Sequence, residues 1–182
     1  MSSLTDCSIY EKELIAACQQ RDAHSQEKLF RHFYGFVMGI TLRYVSTRVL
    51  AQEIVNDSFL KIFNQLPKQN DIQSFRGWAN RIVVHTAIDT FRKENKHRQH
   101  ADIEQVGYEL ADNESVSSVI SAQEILLLIN KLPDTWRYVF NLYEIEGFSH
   151  EEIGEKLKIP TSSSRTYLTR AKQKLRELII SS

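Results

Sequence analysis

Residues 149–171, SHEEIGEKLKIPTSSSRTYLTRA, decide how the C-terminal part of this chain folds. Ser149 and Glu152 match a capping box, in which the Ser hydroxyl accepts from the third backbone N–H group of a helix and the Glu carboxylate reaches back. A short helix is therefore predicted to begin here, with Ile153 and Leu157 facing the core. A second helix follows after a connection of four residues, and this plan is typical of a helix-turn-helix.

The second of these helices is predicted to show cations and hydroxyls to solvent. Its core face would contain Leu168, Ala171, Leu175 and Leu178. Its outer face would carry Arg165, Thr166, Thr169, Arg170 and Lys174. An Arg side chain offers two donors to guanine, and hydroxyls bond bases or phosphates in the major groove, where such a helix lies. The alternative interpretation is a helical hairpin whose basic face is merely solvated.

A second group of residues lies on a predicted helix at 75–93, FRGWANRIVVHTAIDTFRK. Ile82, Ile88 and Phe91 would pack inward. The outward positions mix aromatic and cationic side chains: Trp78, Arg81, His85, Arg92 and Lys96. Such a surface suits single-stranded nucleic acid, because bases stack on the rings and phosphates meet the charges. The alternative is that Trp78 is a core residue.

Composition places the chain among soluble globular proteins, with 182 residues, 42% of them hydrophobic and 25% charged. No apolar run reaches the roughly 18 residues that cross a bilayer. Residues 1–6 lack the basic start and apolar core of a signal peptide. We therefore expect no membrane insertion and a cytoplasmic location. Cys7 and Cys18 would lie about 16 Å apart on one helix, which predicts free thiols.

Charge is distributed unevenly although the formal net charge is zero, from 23 basic and 23 acidic residues. Residues 92–98 carry four basic side chains and one acid, and residues 165–177 carry five basic side chains and one acid. Residues 101–130, between them, contain six acids and no Lys or Arg. Screening limits the reach of each cluster to about 10 Å. A charged partner would therefore meet two separate basic surfaces.

Apolar spacing of three and four residues predicts helices and no strand. The predicted helices are 9–20, 26–45, 50–66, 74–96, 119–131, 134–146, 151–157 and 162–179. Residues 100–118 lack this period and are acidic, which predicts a flexible linker. The predicted fold class is all-α, with two small helical domains at 1–99 and 119–182 joined by this linker. The C-terminal domain would contain the helix-turn-helix.

Motifs of a catalytic or cofactor site do not occur in the sequence. It has no Gly-rich phosphate loop, no nucleophile elbow and no Cys/His nucleophile arrangement. His97 and His100 could supply two metal ligands, but no Cys or suitably placed carboxylate accompanies them. We therefore expect no enzyme activity, no metal and no cofactor.

The order of these motifs resembles that of the extracytoplasmic-function (ECF) group of bacterial RNA polymerase sigma factors. Residues 51–61, AQEIVNDSFLK, resemble the core-polymerase-binding helix of that family. Residues 75–78, FRGW, and residues 89–93, DTFRK, resemble its promoter-melting and minus-ten-reading helix. Four short motifs, at 132–133, 137–140, 146–149 and 151–154, resemble the entry to its C-terminal domain. Residues 160–171 resemble the helix that reads the minus-thirty-five element. The resemblance covers nearly the whole chain.

The resemblance implies a non-catalytic sigma factor that binds core RNA polymerase and directs promoter-specific transcription initiation. Its implied partners are core RNA polymerase, promoter DNA and an anti-sigma factor. The implied core-polymerase-binding residues are Glu53, Asn56, Asp57 and Phe59. The implied minus-ten residues are Phe75, Arg76, Trp78, Arg81, His85, Asp89, Arg92, Lys93 and Lys96. The implied minus-thirty-five residues are Ser162, Ser163, Arg165, Thr166, Thr169, Arg170 and Lys174.

Several positions depart from the family pattern. Lys158 replaces the usual Gly of the turn, and left-handed backbone costs such a residue about 1–2 kcal/mol, so the turn can differ. Gly154 replaces Ala, which costs about 1 kcal/mol of helix propensity unless close packing compensates. Residues 162–164, SSS, replace a Gly-Thr-Val run, and Ser164 is expected to lose an inward apolar contact. Tyr167 and His85 stand where Arg and Asn are common.

Two other functions are compatible with parts of the sequence. A stand-alone helix-turn-helix regulator would explain residues 149–178 but would leave residues 53–59 and 75–93 without a purpose. A helical interaction module that binds no DNA would make both basic faces incidental. Each alternative needs no core polymerase, which separates it from a sigma factor.

Overall fold

The computed structural model describes residues 9–69, 72–98 and 122–180, which form helices and their connections. The α-helices are α1 (Ile9–Gln19), α2 (Ala23–Thr41), α3 (Arg48–Gln65), α4 (Phe75–Arg98), α5 (Ala122–Asn130), α6 (Asp134–Phe140), α7 (His150–Leu157) and α8 (Thr161–Ile180). A short 3-10 turn (Leu66–Lys68) follows α3, and a π-helical segment (Asn141–Ile145) continues α6. This helical architecture confirms the predicted all-α fold class.

Two predicted helices end earlier in the structure than their apolar spacing predicts. The helix predicted at 26–45 ends at Thr41, although Tyr44 and Val45 are buried in the turn that follows. The helix predicted at 134–146 is α-helical only to Phe140. Apolar spacing reports which side chains are buried, and buried side chains also occur in turns and π-helical segments. The predicted linker at 100–118 and Cys7 lie outside the described residues.

The chain divides into two compact units, one of Met1–Thr41 with Ala51–Ala87 and the other of Leu42–Leu50 with Ile88–Ser182. In the first unit, Leu29, Phe33 and Val37 of α2 are fully buried, as their helical spacing predicts. The ring of Phe33 lies 4.5 Å from that of Phe75 at the start of α4. The domain borders predicted at 99 and 119 stay a prediction.

The core of the first unit also holds a thiol. Cys18 is a free cysteine and is fully buried. Burial raises the pKa of this thiol to about 11, and the carboxylate of Asp22 adds to the shift. The prediction of a free thiol is confirmed at Cys18.

The second unit is organised around a buried guanidinium. Arg137 of α6 is 2% exposed, and its Nε donates to the main-chain oxygen of Tyr44 over 3.0 Å. Its Nη1 donates to the main-chain oxygen of Asn130 over 3.2 Å, and its Nη2 donates to the carboxylate of Asp134. Asn141 Nδ2 donates to the main-chain oxygen of Arg43 over 2.6 Å. A buried charge needs such partners. These bonds hold α5, α6 and the turn after α2 together.

Candidate nucleic-acid interface

A complete capping box begins the helix-turn-helix, as predicted. Ser149 Oγ accepts from the backbone N–H of Glu152 over 3.2 Å. The backbone N–H of Ser149 donates to Glu152 Oε2 over 2.8 Å. This second bond lowers the pKa of the Glu152 carboxyl. The box therefore fixes where α7 begins, and Ile153 and Leu157 are buried as their spacing predicts.

The turn between α7 and α8 keeps left-handed geometry without a glycine. Lys158 has φ 55° and ψ 47°, and its backbone N–H bonds the oxygen of Gly154. The expectation that Lys158 changes the turn is therefore wrong. A Cβ atom at Gly154 would lie 3.0 Å from the main-chain oxygen of Ile159. Close packing of this backbone thus accounts for the glycine.

The outer face of α8 presents the predicted minus-thirty-five residues. Leu168 and Ala171 are buried on the opposite face, whereas Leu175 and Leu178, also predicted there, are half-buried. The exposed members of the predicted set are Ser162, Arg165, Thr166, Thr169, Arg170 and Lys174, and Ser163 is half-buried. This arrangement is a stripe of cations and hydroxyls along one helix, which is the chemistry that reads base edges and phosphates in the major groove.

Side chains from other helices contact this stripe. Arg165 Nη2 donates to Glu151 Oε1 over 2.8 Å. The guanidinium of Arg170 lies 5.9 Å from the ring centroid of Trp136 on α6, within cation–π range. Both contacts orient charges that would otherwise sample many rotamers. Sequence reasoning missed them because the partners are far apart along the chain.

Beneath the stripe, Ser164 is fully buried and bonded. Its hydroxyl lies 2.9 Å from His150 Nδ1, and the His150 ring stacks on Tyr143 with centroids 4.5 Å apart. Ser164 therefore makes a polar contact in place of the inward apolar contact whose loss the sequence predicts.

Helix α4 carries the predicted minus-ten residues. Ile82, Ile88 and Phe91 are buried, as predicted. The exposed members of the set are Arg81, His85, Asp89, Lys93 and Lys96, and the half-buried members are Arg76, Trp78 and Arg92. Trp78 is thus not a core residue, which favours the surface interpretation of this helix.

Two predicted minus-ten residues make contacts within the first unit. Phe75 is 2% exposed and its ring lies 5.7 Å from that of Trp78. The guanidinium of Arg76 lies over the rings of Phe33 and Phe36, at 5.2 and 5.1 Å, and its Nη2 lies 3.4 Å from Glu11 Oε1. In this state both residues support the start of α4, and their contacts with DNA stay a prediction.

Arg92, also in the predicted minus-ten set, donates within the second unit. Its Nε donates to the main-chain oxygen of Lys156, and its Nη2 donates to that of Glu155 over 3.1 Å. These oxygens lie in the last turn of α7, where helix carbonyls lack partners. A phosphate contact by Arg92 would exchange these bonds for charge-assisted ones.

The predicted core-polymerase-binding residues lie on α3. Glu53, Asn56 and Asp57 are exposed, whereas Phe59 is 2% exposed and its ring lies 4.6 Å from that of Phe30. Leu60 is 61% exposed and follows Asn56 by one turn. The outer face of α3 is therefore acidic, and its exposed apolar side chains are Leu60 and, one turn before Glu53, Val49 rather than Phe59. The sequence signal for Leu60 is its position four residues after Asn56, among polar residues of the same helix face, and sequence reasoning missed it.

Comparison with known proteins assigns both regions to one family. The family model for sigma-70 region 2 matches residues 29–97, and that for sigma-70 region 4 matches residues 122–175. The chain is similar to the RNA polymerase sigma factor SigZ of Bacillus subtilis, with 31% identity over 144 residues, covering 75% of this chain and 78% of SigZ. The chain belongs to the RNA polymerase sigma factor family.

Other relatives place this sigma factor in the ECF group. It is similar to the ECF RNA polymerase sigma-E factor of Haemophilus influenzae, with 26% identity over 181 residues, covering 93% of this chain and 95% of that protein. Its fold is similar to that of the sigma factor RpoE of Bartonella quintana, solved in complex with the anti-sigma factor NepR. The TM-score is 0.50 with 19% identity, covering 84% of this chain and 95% of RpoE.

The protein is thus an ECF sigma factor that directs promoter-specific transcription initiation by RNA polymerase. A stand-alone helix-turn-helix regulator would not account for the region 2 match at residues 29–97. Within the described parts of the chain, no helix is long and apolar enough to cross a membrane.

Proposed function

We propose that this sigma factor reads the minus-thirty-five element with α8 and the minus-ten element with α4, while the outer face of α3 binds core RNA polymerase. The single observation that carries the proposal is the face of α8. Its predicted reading residues share one side of the helix, opposite Leu168 and Ala171. A helix that turns its cations and hydroxyls outward from a buried helix-turn-helix core is suited to the major groove.

For the minus-ten element, the proposal assigns the unpaired strand to Trp78, Arg81 and His85. Trp78 is half-buried, and its ring lies 5.7 Å from that of Phe75, so the proposal needs only its exposed part to meet a base. Unstacking a base costs a few kcal/mol, which stacking on a protein side chain can offset. Lys93 and Lys96 are exposed on the same helix and would anchor adjacent phosphates.

In the proposal, core polymerase binds the outer face of α3. The polar contacts would come from the exposed side chains of Glu53, Asn56 and Asp57, and Leu60 would supply an apolar contact. Acidic residues beside exposed apolar side chains suit a basic partner surface that also buries some apolar area. The protein would act by binding alone, with no catalytic step, in the cytoplasm.

An anti-sigma factor is a further proposed partner. Support comes from the similarly folded RpoE of Bartonella quintana, which was solved with the anti-sigma factor NepR.

The proposal also includes the predicted domains, 1–99 and 119–182, joined by the acidic linker at 100–118. The linker resembles nucleic acid in charge, and we propose that it lies in the polymerase channel that nucleic acid later occupies.

Transcription by reconstituted holoenzyme tests the assignment of α8. Arg165→Ala and Thr169→Ala are expected to reduce transcription from a promoter that depends on its minus-thirty-five element. Arg176→Ala removes an exposed Arg from the last part of the same helix and is the matched control. Equal effects of Arg165→Ala and Arg176→Ala would contradict the assignment.

Binding of a single-stranded minus-ten oligonucleotide by holoenzyme tests the assignment of α4. Trp78→Ala is expected to weaken binding by about 1–3 kcal/mol, the usual contribution of one stacked base. Trp136→Ala changes the second Trp of the chain, on α6, and should leave this binding unchanged. Unaltered binding by Trp78→Ala would reject this part of the proposal.

A further inference from the structure

Two successive side-chain contacts join the first turn of α7 to the first two turns of α8. His150 Nδ1 lies 2.9 Å from Ser164 Oγ, across fourteen positions of the chain. Arg165 Nη2 donates to Glu151 Oε1 over 2.8 Å, again across fourteen positions. Neighbouring residues of one helix are therefore tied to neighbouring residues of the other.

The inner contact fixes the spacing of the two helices. Ser164 is fully buried, and a buried hydroxyl without a partner is unfavourable. The imidazole of His150 meets this hydroxyl while its ring stacks on Tyr143, with 22° between the ring planes. The first turn of α8 is thus held close enough to α7 for Glu151, which follows His150, to reach Arg165, which follows Ser164.

The outer contact acts on orientation rather than on folding. The side chains of Arg165 and Glu151 are 60% and 64% exposed, and exposed ion pairs contribute little to stability. The bond nevertheless restricts a side chain with many rotamers. It uses one donor of the guanidinium and leaves the others available.

We propose that Glu151 is a specificity-determining positioning residue, which holds the guanidinium of Arg165 toward a base edge of the minus-thirty-five element. The inference rests on the proposed reading of the major groove by α8. Glu151 itself would not contact DNA. Its carboxylate repels phosphate, so Arg165 beside it is directed away from the backbone and toward the acceptors of a base.

A promoter library tests this inference, with holoenzyme that contains the full chain and with every position of the minus-thirty-five element randomised. Arg165→Ala is expected to abolish the preference at one base pair, a loss of about 5- to 150-fold for a bidentate contact. Glu151→Ala is expected to weaken the preference at that same base pair by about two- to fivefold. Glu151→Gln, which keeps the shape and one acceptor, should fall between Glu151→Ala and the wild type.

In Glu151→Ala, transcription from non-preferred promoters should rise while the base preference weakens. Removal of a negative charge near DNA favours binding to every sequence, so Glu151→Ala is expected to increase transcription from non-preferred promoters. Glu155→Ala removes the same charge from α7 one turn later, where the side chain is also exposed. This control should raise transcription from all promoters without changing any base preference. Thermal unfolding of each variant identifies any loss of fold.

The outcomes separate this inference from the proposed function. If Arg165→Ala abolishes one base preference and Glu151→Ala leaves it unchanged, the inference is wrong and the reading by α8 stands. If Arg165→Ala changes no base preference, the proposed reading by Arg165 fails and the inference fails with it. A Glu151→Ala variant that lowers transcription from all sequences alike would show a structural role and reject positioning.

Discussion

Replacement of Lys158 by glycine is expected to stabilise this sigma factor. Lys158 ends α7 in left-handed backbone, with φ 55° and ψ 47°. That conformation costs a residue with a Cβ atom about 1–2 kcal/mol, and glycine adopts it freely. Glycine also gives the unfolded chain more freedom, which offsets about 0.4–1 kcal/mol. The net expectation for Lys158→Gly is a gain of about 1 kcal/mol.

Thermal unfolding of the full chain measures this gain. For a chain of this length, 1 kcal/mol raises the unfolding midpoint by about 2–4 °C. The backbone N–H bond from residue 158 to the oxygen of Gly154 does not involve the side chain and should persist.

Lys158→Ala is the matched control, because alanine removes the charge but keeps the cost of left-handed backbone. It should leave the midpoint nearly unchanged. Arg21 also has positive φ, 63°, so Arg21→Gly should stabilise the other compact unit for the same reason. A lower midpoint for Lys158→Gly, or an equal rise for Lys158→Ala, would refute the reasoning.

Three further predictions concern a titrating cap, a thiol and the linker. The bond from the backbone N–H of Ser149 lowers the pKa of the Glu152 carboxyl. The cap therefore stabilises the fold fully above the ordinary carboxyl pKa of 4.5, and this stabilisation is lost as the pH falls through the lowered pKa. Unfolding measured against pH should therefore depend less on acid in Glu152→Gln than in the wild type; an identical acid dependence would argue against the cap. Burial raises the pKa of Cys18 to about 11, so in a Cys7→Ser background a thiol reagent should react at pH 8 only after denaturant is added, and rapid reaction of the folded chain would contradict its burial. Scrambling residues 100–118 while keeping their acids should leave open-complex formation largely intact, whereas neutralising the acids should impair it; equal harm from the two changes would reject charge mimicry.

Local sequence signals predicted much of this structure. The capping box at Ser149 and Glu152 depends on residues three apart, and the inward faces of α4 and α8 depend on helical spacing. Such features require only neighbouring residues, so they can be inferred before any tertiary contact is known. The exposed faces of both helices follow once their inward faces are assigned.

Features that depend on distant residues could not be predicted in the same way. Arg137 belongs to a residue type that is rarely buried, yet it is 2% exposed, with its Nε donating to the main-chain oxygen of Tyr44. Ser164 contacts His150, and Arg165 donates to Glu151, across fourteen positions of the chain. The positions of such partners are set by the packing of helices and not by the local pattern.

The central claim is that this chain confers promoter recognition on core RNA polymerase, and transcription by purified core enzyme with and without the chain tests it most directly. Templates carrying a diverse set of promoter sequences should yield specific transcripts only when the chain is added. A variant with Arg81, Arg165 and Arg170 all replaced by Ala should lose most of this effect. Equal initiation with and without the chain on every template would contradict the claim.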